Sequence, residues 1–225
     1  MNTLLTIKSA TKTYGVQTED TLNFISKYAA AETSFFVIDQ TVYDLYTSAF
    51  SEIPPARLFL LEAKEENKTI ETALTICEKI IELNSKRNTR LFSFGGGIIQ
   101  DITGFVANIL YRGIHWTFVP TTLLAACDSC IGGKSSLNYK NYKNLLGTFF
   151  PPDEIIIYAD FFKTLSRKDL LSGLGEVVKF NIIAGEDTMC SVQRSLDSLI
   201  NCDMAEIKKF IQSSLMFKKA FIEAD

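Results

Sequence analysis

The chain has 225 residues, enough for one large domain or for one domain and part of a second. Its 23 Lys and Arg against 26 Asp and Glu leave a net charge of −3, so no basic field advertises a nucleic-acid partner, although local lysines can still meet a small anion. The opening MNTLLTIKSATK has too short an apolar run for a secretory signal, and no later segment has bilayer length. With five cysteines and no disulfide framework, a soluble cytoplasmic protein is expected.

Residues 1–16 read as one strand and a turn at Tyr14-Gly15. Residues 18–30 read as a helix, with Thr18 or Thr21 capping and Leu22, Ile25 and Ala29 on the buried stripe. The run Phe35-Phe36-Val37-Ile38, closed by Asp39, has the uninterrupted apolar character of a buried parallel strand over 34–39. A short helix at 41–50, the Pro54-Pro55 break and a strand at 57–61 follow. Residues 67–85 read as a helix that buries Ile70, Leu74, Cys77 and Ile81. A strand at 90–94, a helix at 98–110 and a strand at 115–119 complete an alternation that implies a parallel α/β sheet.

Between 129 and 157 the helical period is lost, and Pro151-Pro152 is taken as a change of architecture. From Ser166, a capping residue, the chain is read as helical, with Leu170, Leu174, Val177 and Val178 on an apolar face. Gly185 interrupts, and helices at 187–200 and 203–221 are expected. The boundary falls near Ala159: residues 1–158 form an α/β domain with a parallel sheet, and 159–225 begin an all-helical one.

Asp39, Gly95 to Gly97 and Thr121-Thr122 sit at carboxyl strand ends, the edge at which open α/β sheets bind ligands. Three glycines before a helix let a ligand approach the backbone and leave amides free for an anion such as a pyrophosphate. They are not the G-x-G-x-x-G fingerprint, because Asp101 follows where a later glycine would be needed. Gly133-Lys134-Ser135 likewise fails as a Walker loop, since Asp128 occupies the first glycine position. Cys127 and Cys130 form a C-x-x-C without a second metal-binding pair, and a structural role is favoured.

Taken in order, GGGIIQDITGF, YRG, VPTTLLA, DSCIGGK, YKNLLGTF and GLGEVVK resemble 3-dehydroquinate synthase and related sugar-phosphate cyclases. The resemblance is strong from Gly95 to Lys179 and thins toward the C-terminus. It implies a dinucleotide-binding domain that carries NAD, a zinc or other divalent metal held toward a helical domain, a sugar-phosphate substrate and a homodimer. On the cofactor side it places Asp39 at the adenosine ribose, Glu65 and Lys68, Gly95, Gly96, Gly97 and Asp101 at the pyrophosphate and nicotinamide, and Thr121 and Thr122. Lys143, Phe161, Thr164 and Leu165 join that set.

Substrate and catalytic roles are implied for Asp128, Lys134, Lys143, Asn144, Lys179 and, more loosely, Lys218, and Arg112 would reach a phosphate in the neighbouring subunit's site. Glu176 matches the carboxylate zinc ligand. By spacing alone, Glu65 with Lys68 reads equally well as a surface pair, and a lone pair such as Glu176 with Lys179 is usually one. The implied reaction closes a seven-carbon sugar phosphate, 3-deoxy-arabino-heptulosonate 7-phosphate, to 3-dehydroquinate with loss of phosphate and no net redox change, in the shikimate route to aromatic amino acids.

A catalytic zinc of this kind needs one Glu and two His. The only histidine is His115, inside an expected strand and read as structural. The family's two histidines follow a GHxxGH-like pattern not reached before Asp225, so the expectation is an incomplete metal site and a catalytically silent chain. Two alternatives stand beside it, a metal-dependent polyol dehydrogenase with the same glycine loop and a non-catalytic NAD-binding remnant.

Overall fold

The computed structural model describes residues 2–83 and 88–224. The chain starts as an antiparallel hairpin, β1 (Asn2–Lys8) with β2 (Thr13–Glu19), where one strand and a turn were expected. The turn lies at Ser9 to Lys12, and Gly15 pairs with Thr6 inside β2. Helix α1 (Asn23–Ala29) is shorter than expected because residues 13–19 extend as strand, and neither threonine caps it.

β3 (Ser34–Asp39) keeps its expected limits, and its first five residues are buried. The short helices α2 (Gln40–Leu45) and α3 (Thr47–Phe50) lead to β4 (Leu58–Leu61), and α4 (Ile70–Glu82) follows. The buried stripe of α4 is Ala73, Ile76, Cys77 and Ile80, whereas Leu74 and Ile81 are each 49% exposed. Apolar residues occupy two overlapping stripes on this helix, and the one containing the small Ala73 lies against the core. The expected extension to Ser85 falls outside the described residues.

β5 (Arg90–Gly95), α5 (Gly97–Ile109) and β6 (His115–Pro120) come next, then a hairpin of β7 (Lys134–Tyr139) and β8 (Tyr142–Phe149). After Pro151-Pro152 the chain returns to the main sheet as β9 (Glu154–Tyr158), so the prolines mark no change of architecture. The reason is that Ile155, Ile156 and Ile157 are buried only between β2 and β6. The sheet order is β1-β2-β9-β6-β5-β3-β4, parallel except for the first pair.

Aromatic rings fill the layer between the strands and helices. Phe92 lies 5.0 Å from Phe36 and 4.5 Å from Tyr28, and Phe24 stacks on Phe94 at 6.3 Å. Ser166 accepts from Asp169 N–H and caps α6 (Arg167–Ala184), as read from the sequence. Gly185 then permits the turn, at φ 120°, into α7 (Glu186–Ile200), and α8 (Met204–Ala224) returns across β1. The core runs without a break from Phe92 to Leu174, Phe210 and Leu215.

Candidate functional site

A parallel sheet opens the carboxyl ends of its strands onto one edge, and here a cleft of about 1050 Å³ runs along that edge. β3 delivers Asp39, whose carboxylate caps α2 by accepting from Thr41 N–H at 2.9 Å. Burial raises the pKa of Asp39, against the lowering effect of Thr41. β5 delivers Gly96 and Gly97, and α5 begins there, with Gly96, Gly97 and Ile98 all lining the cleft. A Cβ on Gly96 would stand 3.0 Å from the Thr122 methyl, so any side chain here would crowd Thr122 where the two loops pass closely. Thr121 and Thr122, after β6, line the same cleft, as do Phe161, Thr164 and Leu165.

The cleft floor holds a polar network built around the buried Lys68. Lys68 Nζ is 2.5 Å from Asp101 Oδ2 and donates to Asn144 Oδ1 at 2.6 Å. Asp101 Oδ1 also accepts from Ser136 N–H, while Ser136 Oγ meets Asn144. Burial pushes the Asp101 pKa up, and Lys68 and the Ser136 amide pull against it. The hairpin that carries Asn144 is thus tied to α5 and to the turn before α4, with Asn144 itself at φ 55°. Gly95 closes β5 beneath the cleft without lining it, and Glu65 and Lys143 lie 3.8 Å apart in a neighbouring hollow of about 380 Å³. Lys134 opens β7 and is exposed.

A second polar corner forms where the chain after Thr122 meets α6 and α8. Residues 125–129 make one π-helical turn, closed by Cys130 N–H donating to Ala125 O. On it, Asp128 accepts from Lys218 Nζ of α8 at 2.8 Å, and Lys218 also bonds the Asp128 carbonyl at 2.7 Å. Glu176 and Lys179, three apart on α6, pair with each other. The pKa of Lys179 is raised chiefly by that partner. Cys127 and Cys130 are fully buried, with the Cys130 thiol pushed up to about 12 by desolvation, so this C-x-x-C is packing and not a reactive dithiol.

Among the described residues no three His, Cys, Asp or Glu side chains converge as a metal site would require. His115 stands at the amino end of β6, the edge away from the cleft, where it is 72% exposed and 3.2 Å from Asp153. Burial raises Asp153, but Trp116 N–H, Lys12 and His115 together hold its carboxyl below the usual range. Glu176 therefore has no described histidine near it, and the residues present do not compose a zinc site.

The sequence reading missed several residues that brace the loops around the cleft. Gln100 is buried behind Gly97 and clamps Ser129, donating to its carbonyl at 2.6 Å and accepting from its hydroxyl at 2.5 Å. Asn138 donates to Glu65 and accepts from Asn144 N–H, and Tyr14 Oη accepts from Gly132 N–H at 3.0 Å. Gln100 had a local signal, a polar side chain beside Asp101 near the start of a largely apolar helix. Tyr14 had none, since its partner is more than a hundred residues away.

The family described as 3-dehydroquinate synthase N-terminal matches residues 58–172, just over half of the chain. This chain belongs to that family. Among relatives, the 3-dehydroquinate synthase of Clostridium tetani is 36% identical over 85% of this chain and 52% of its own length. That of Dictyoglomus thermophilum is also 36% identical, over 85% and 54%. The chain thus spans about half the length of these 3-dehydroquinate synthases.

Among solved structures, a 2-deoxy-scyllo-inosose synthase complexed with carbaglucose-6-phosphate, NAD+ and Co2+ aligns with a TM-score of 0.83 at 23% identity, over 97% of this chain and 62% of that one. The 2-epi-5-epi-valiolone synthase of Streptomyces hygroscopicus, with NAD+ and Zn2+ bound, aligns at 0.79 and 25%, over 91% and 60%. An iron-containing alcohol dehydrogenase of Thermococcus thioreducens shares the fold at 0.69 and 15%, over 96% and 66%. No helix among the described residues is long and apolar enough to cross a membrane.

Proposed function

We propose that this chain binds NAD in the strand-end cleft and forms the cofactor-bearing part of a 3-dehydroquinate synthase, acting on 3-deoxy-arabino-heptulosonate 7-phosphate. The observation that carries the proposal is the convergence of Asp39, Gly96, Gly97, Asp101, Thr121 and Thr122 on one cleft in a chain of this family. Residues 1–158 would be the cofactor domain and 159–225 the start of the helical one. Asp39 is suited to two ribose hydroxyls through charge-assisted hydrogen bonds, and the α5 amides beside Gly96 and Gly97 to a pyrophosphate. When bound, the dinucleotide supplies reversible hydride acceptance.

The chain's own residues then hold and orient. Lys68 and Asp101 form the floor against which a nicotinamide would rest, and Asn144 hangs from Lys68. Lys134 and Lys143 on the same hairpin are exposed cations suited to an anionic polyol, with Asp128, Lys179 and Lys218 beyond Ser129. The hairpin's bond into the cofactor floor favours a cyclase over a polyol dehydrogenase, in which Lys134, Lys143 and Asn144 have no task. Arg112, exposed and at φ 66°, does not line the cleft and would serve the partner's site in a homodimer. No step of this proposal runs through a metal, because the residues near Glu176 do not compose a site for one.

Calorimetry with NAD+ tests the cofactor assignment. Gly96→Val should weaken binding about tenfold or more by setting a branched side chain against Thr122 and the pyrophosphate path. Equal affinity in the two proteins would refute the loop assignment. Phosphate release from the heptulosonate phosphate with NAD+ and Zn2+ should be absent for this cofactor-bearing part alone, because the described residues around Glu176 compose no metal site, and steady turnover would overturn that reading.

A further inference from the structure

The buried amide of Gln100 fixes the hydrogen-bonding sense of a hydroxyl in the cleft. Gln100 is 2% exposed, and its Nε2 lies 2.6 Å from the carbonyl oxygen of Ser129. A carbonyl oxygen only accepts, so the amide NH₂ must face it. The other end of the amide, Oε1, then faces Ser129 Oγ at 2.5 Å and has no hydrogen to give. The serine hydroxyl must donate its single proton to Gln100. What remains on Ser129 Oγ is lone-pair density, and Ser129 lines the cleft. Few surface serines are so constrained, because an ordinary hydroxyl rotates to suit whatever it meets.

The position of Ser129 shows which part of a ligand it would meet. Along the sheet edge the order β3, β5, β6 sets out Asp39, then Gly96 and Gly97, then Thr121 and Thr122, and Ser129 follows after β6 on the π-helical turn. A dinucleotide lying with one ribose at Asp39 and its pyrophosphate over Gly96 and Gly97 carries its second base past Thr122, to the Ser129 side. We infer that Ser129 is a specificity residue of the cleft, an obligate hydrogen-bond acceptor set by Gln100 that receives the carboxamide N–H of a nicotinamide ring. An anionic or acceptor-only group at the same place would meet the lone pairs unfavourably. This inference rests on the NAD reading and goes beyond it by naming the group that is recognised and the residue that recognises it.

The test uses three probes by calorimetry: NAD+, its 3-acetylpyridine analogue, which keeps the ring carbonyl but has no N–H, and ADP-ribose, which lacks the ring. The wild type should prefer NAD+ to the acetylpyridine analogue about five- to tenfold, the worth of one buried hydrogen bond. In Ser129→Ala the two dinucleotides should bind alike while ADP-ribose affinity is unchanged. Gln100→Met retains side-chain volume but frees the hydroxyl to rotate, and should narrow the preference in the same way. A preference that persists in Ser129→Ala, or is missing from the wild type, overturns the inference with normal ADP-ribose binding still supporting the cofactor site. If the wild type binds none of the three, the NAD reading and this inference fall together. Should Gln100→Met not fold, the ratio in Ser129→Ala decides alone.

Discussion

Two parts of this molecule hold acids against lysines, and they do so differently. On the cleft floor Lys68 and Asp101 are 7% and 22% exposed, and each has a further partner in Asn144 or the Ser136 amide. In the helical part Lys179 and Glu176 are 51% and 26% exposed and pair mainly with each other. The apolar surroundings differ in the same sense. Phe92 and Phe36 are wholly enclosed under the cleft, whereas Ile182, Ile183 and Phe221 of α6 and α8 stand more than half exposed. Enclosure determines how much each contact contributes, because a pair or ring already in water loses little when its partner is removed.

The largest contrast should come from the rings. Phe92→Ala is expected to cost about 3–5 kcal/mol, by loss of buried area and a cavity between Phe36 and Tyr28. Phe221→Ala should stay within about 0.5 kcal/mol. Urea unfolding midpoints check both, and similar losses would mean that the helical face is covered in solution. The next contrast lies in the charges. Lys68→Met leaves the Asp101 carboxylate without its counter-charge, holding only the Ser136 amide, and should cost about 3 kcal/mol. Lys179→Met should cost less, about 1–2 kcal/mol, because the lysine is half in water although its loss leaves the buried Glu176 Oε2 without a partner.

A smaller effect separates stability from binding at Asp39. Its raised pKa means that the folded chain holds this proton more tightly than the unfolded chain does. Its contribution to stability therefore falls as the pH climbs from 3.8 through the folded value, and is constant above it. Asp39→Asn keeps a capping side chain for α2 but removes the buried charge. It should be about 0.5–1 kcal/mol more stable at neutral pH, with no gain below the unfolded pKa, while binding NAD+ less tightly. A variant less stable at neutral pH would show that Thr41 and α2 offset the desolvation of the carboxylate.

The strands β3, β5 and β6 were legible because each is a short apolar run closed by a polar or glycine residue, with a helix beyond it. The motif residues at their ends inherit that placement, and so the residue order alone puts Asp39, Gly96 and Thr122 on one edge. The phase of α4 was not legible, since Leu74 and Ile81 are as apolar as the Ile76 and Ile80 that the sheet covers. The return of β9 was hidden by Pro151-Pro152, which reads as punctuation although the strand it precedes is central. Glu65 and Lys143 were assigned beside the cofactor, yet they share a hollow outside the cleft.

What the sequence determined by itself is therefore local: the alternation of strand and helix, the glycine turn before α5, the Ser166 cap, and membership of a family through ordered motifs. Backbone sterics, capping and periodic burial act within a few residues and leave their marks in the string. Only the tertiary structure decided that Lys68 reaches Asn144, that Tyr14 holds Gly132, and that Gln100 sets the hydroxyl of Ser129. These bonds join residues 76, 118 and 29 positions apart, and nothing in the residues alone requires them. They exist because packing brings buried polar atoms together away from water, where each must find a partner or pay its full desolvation cost.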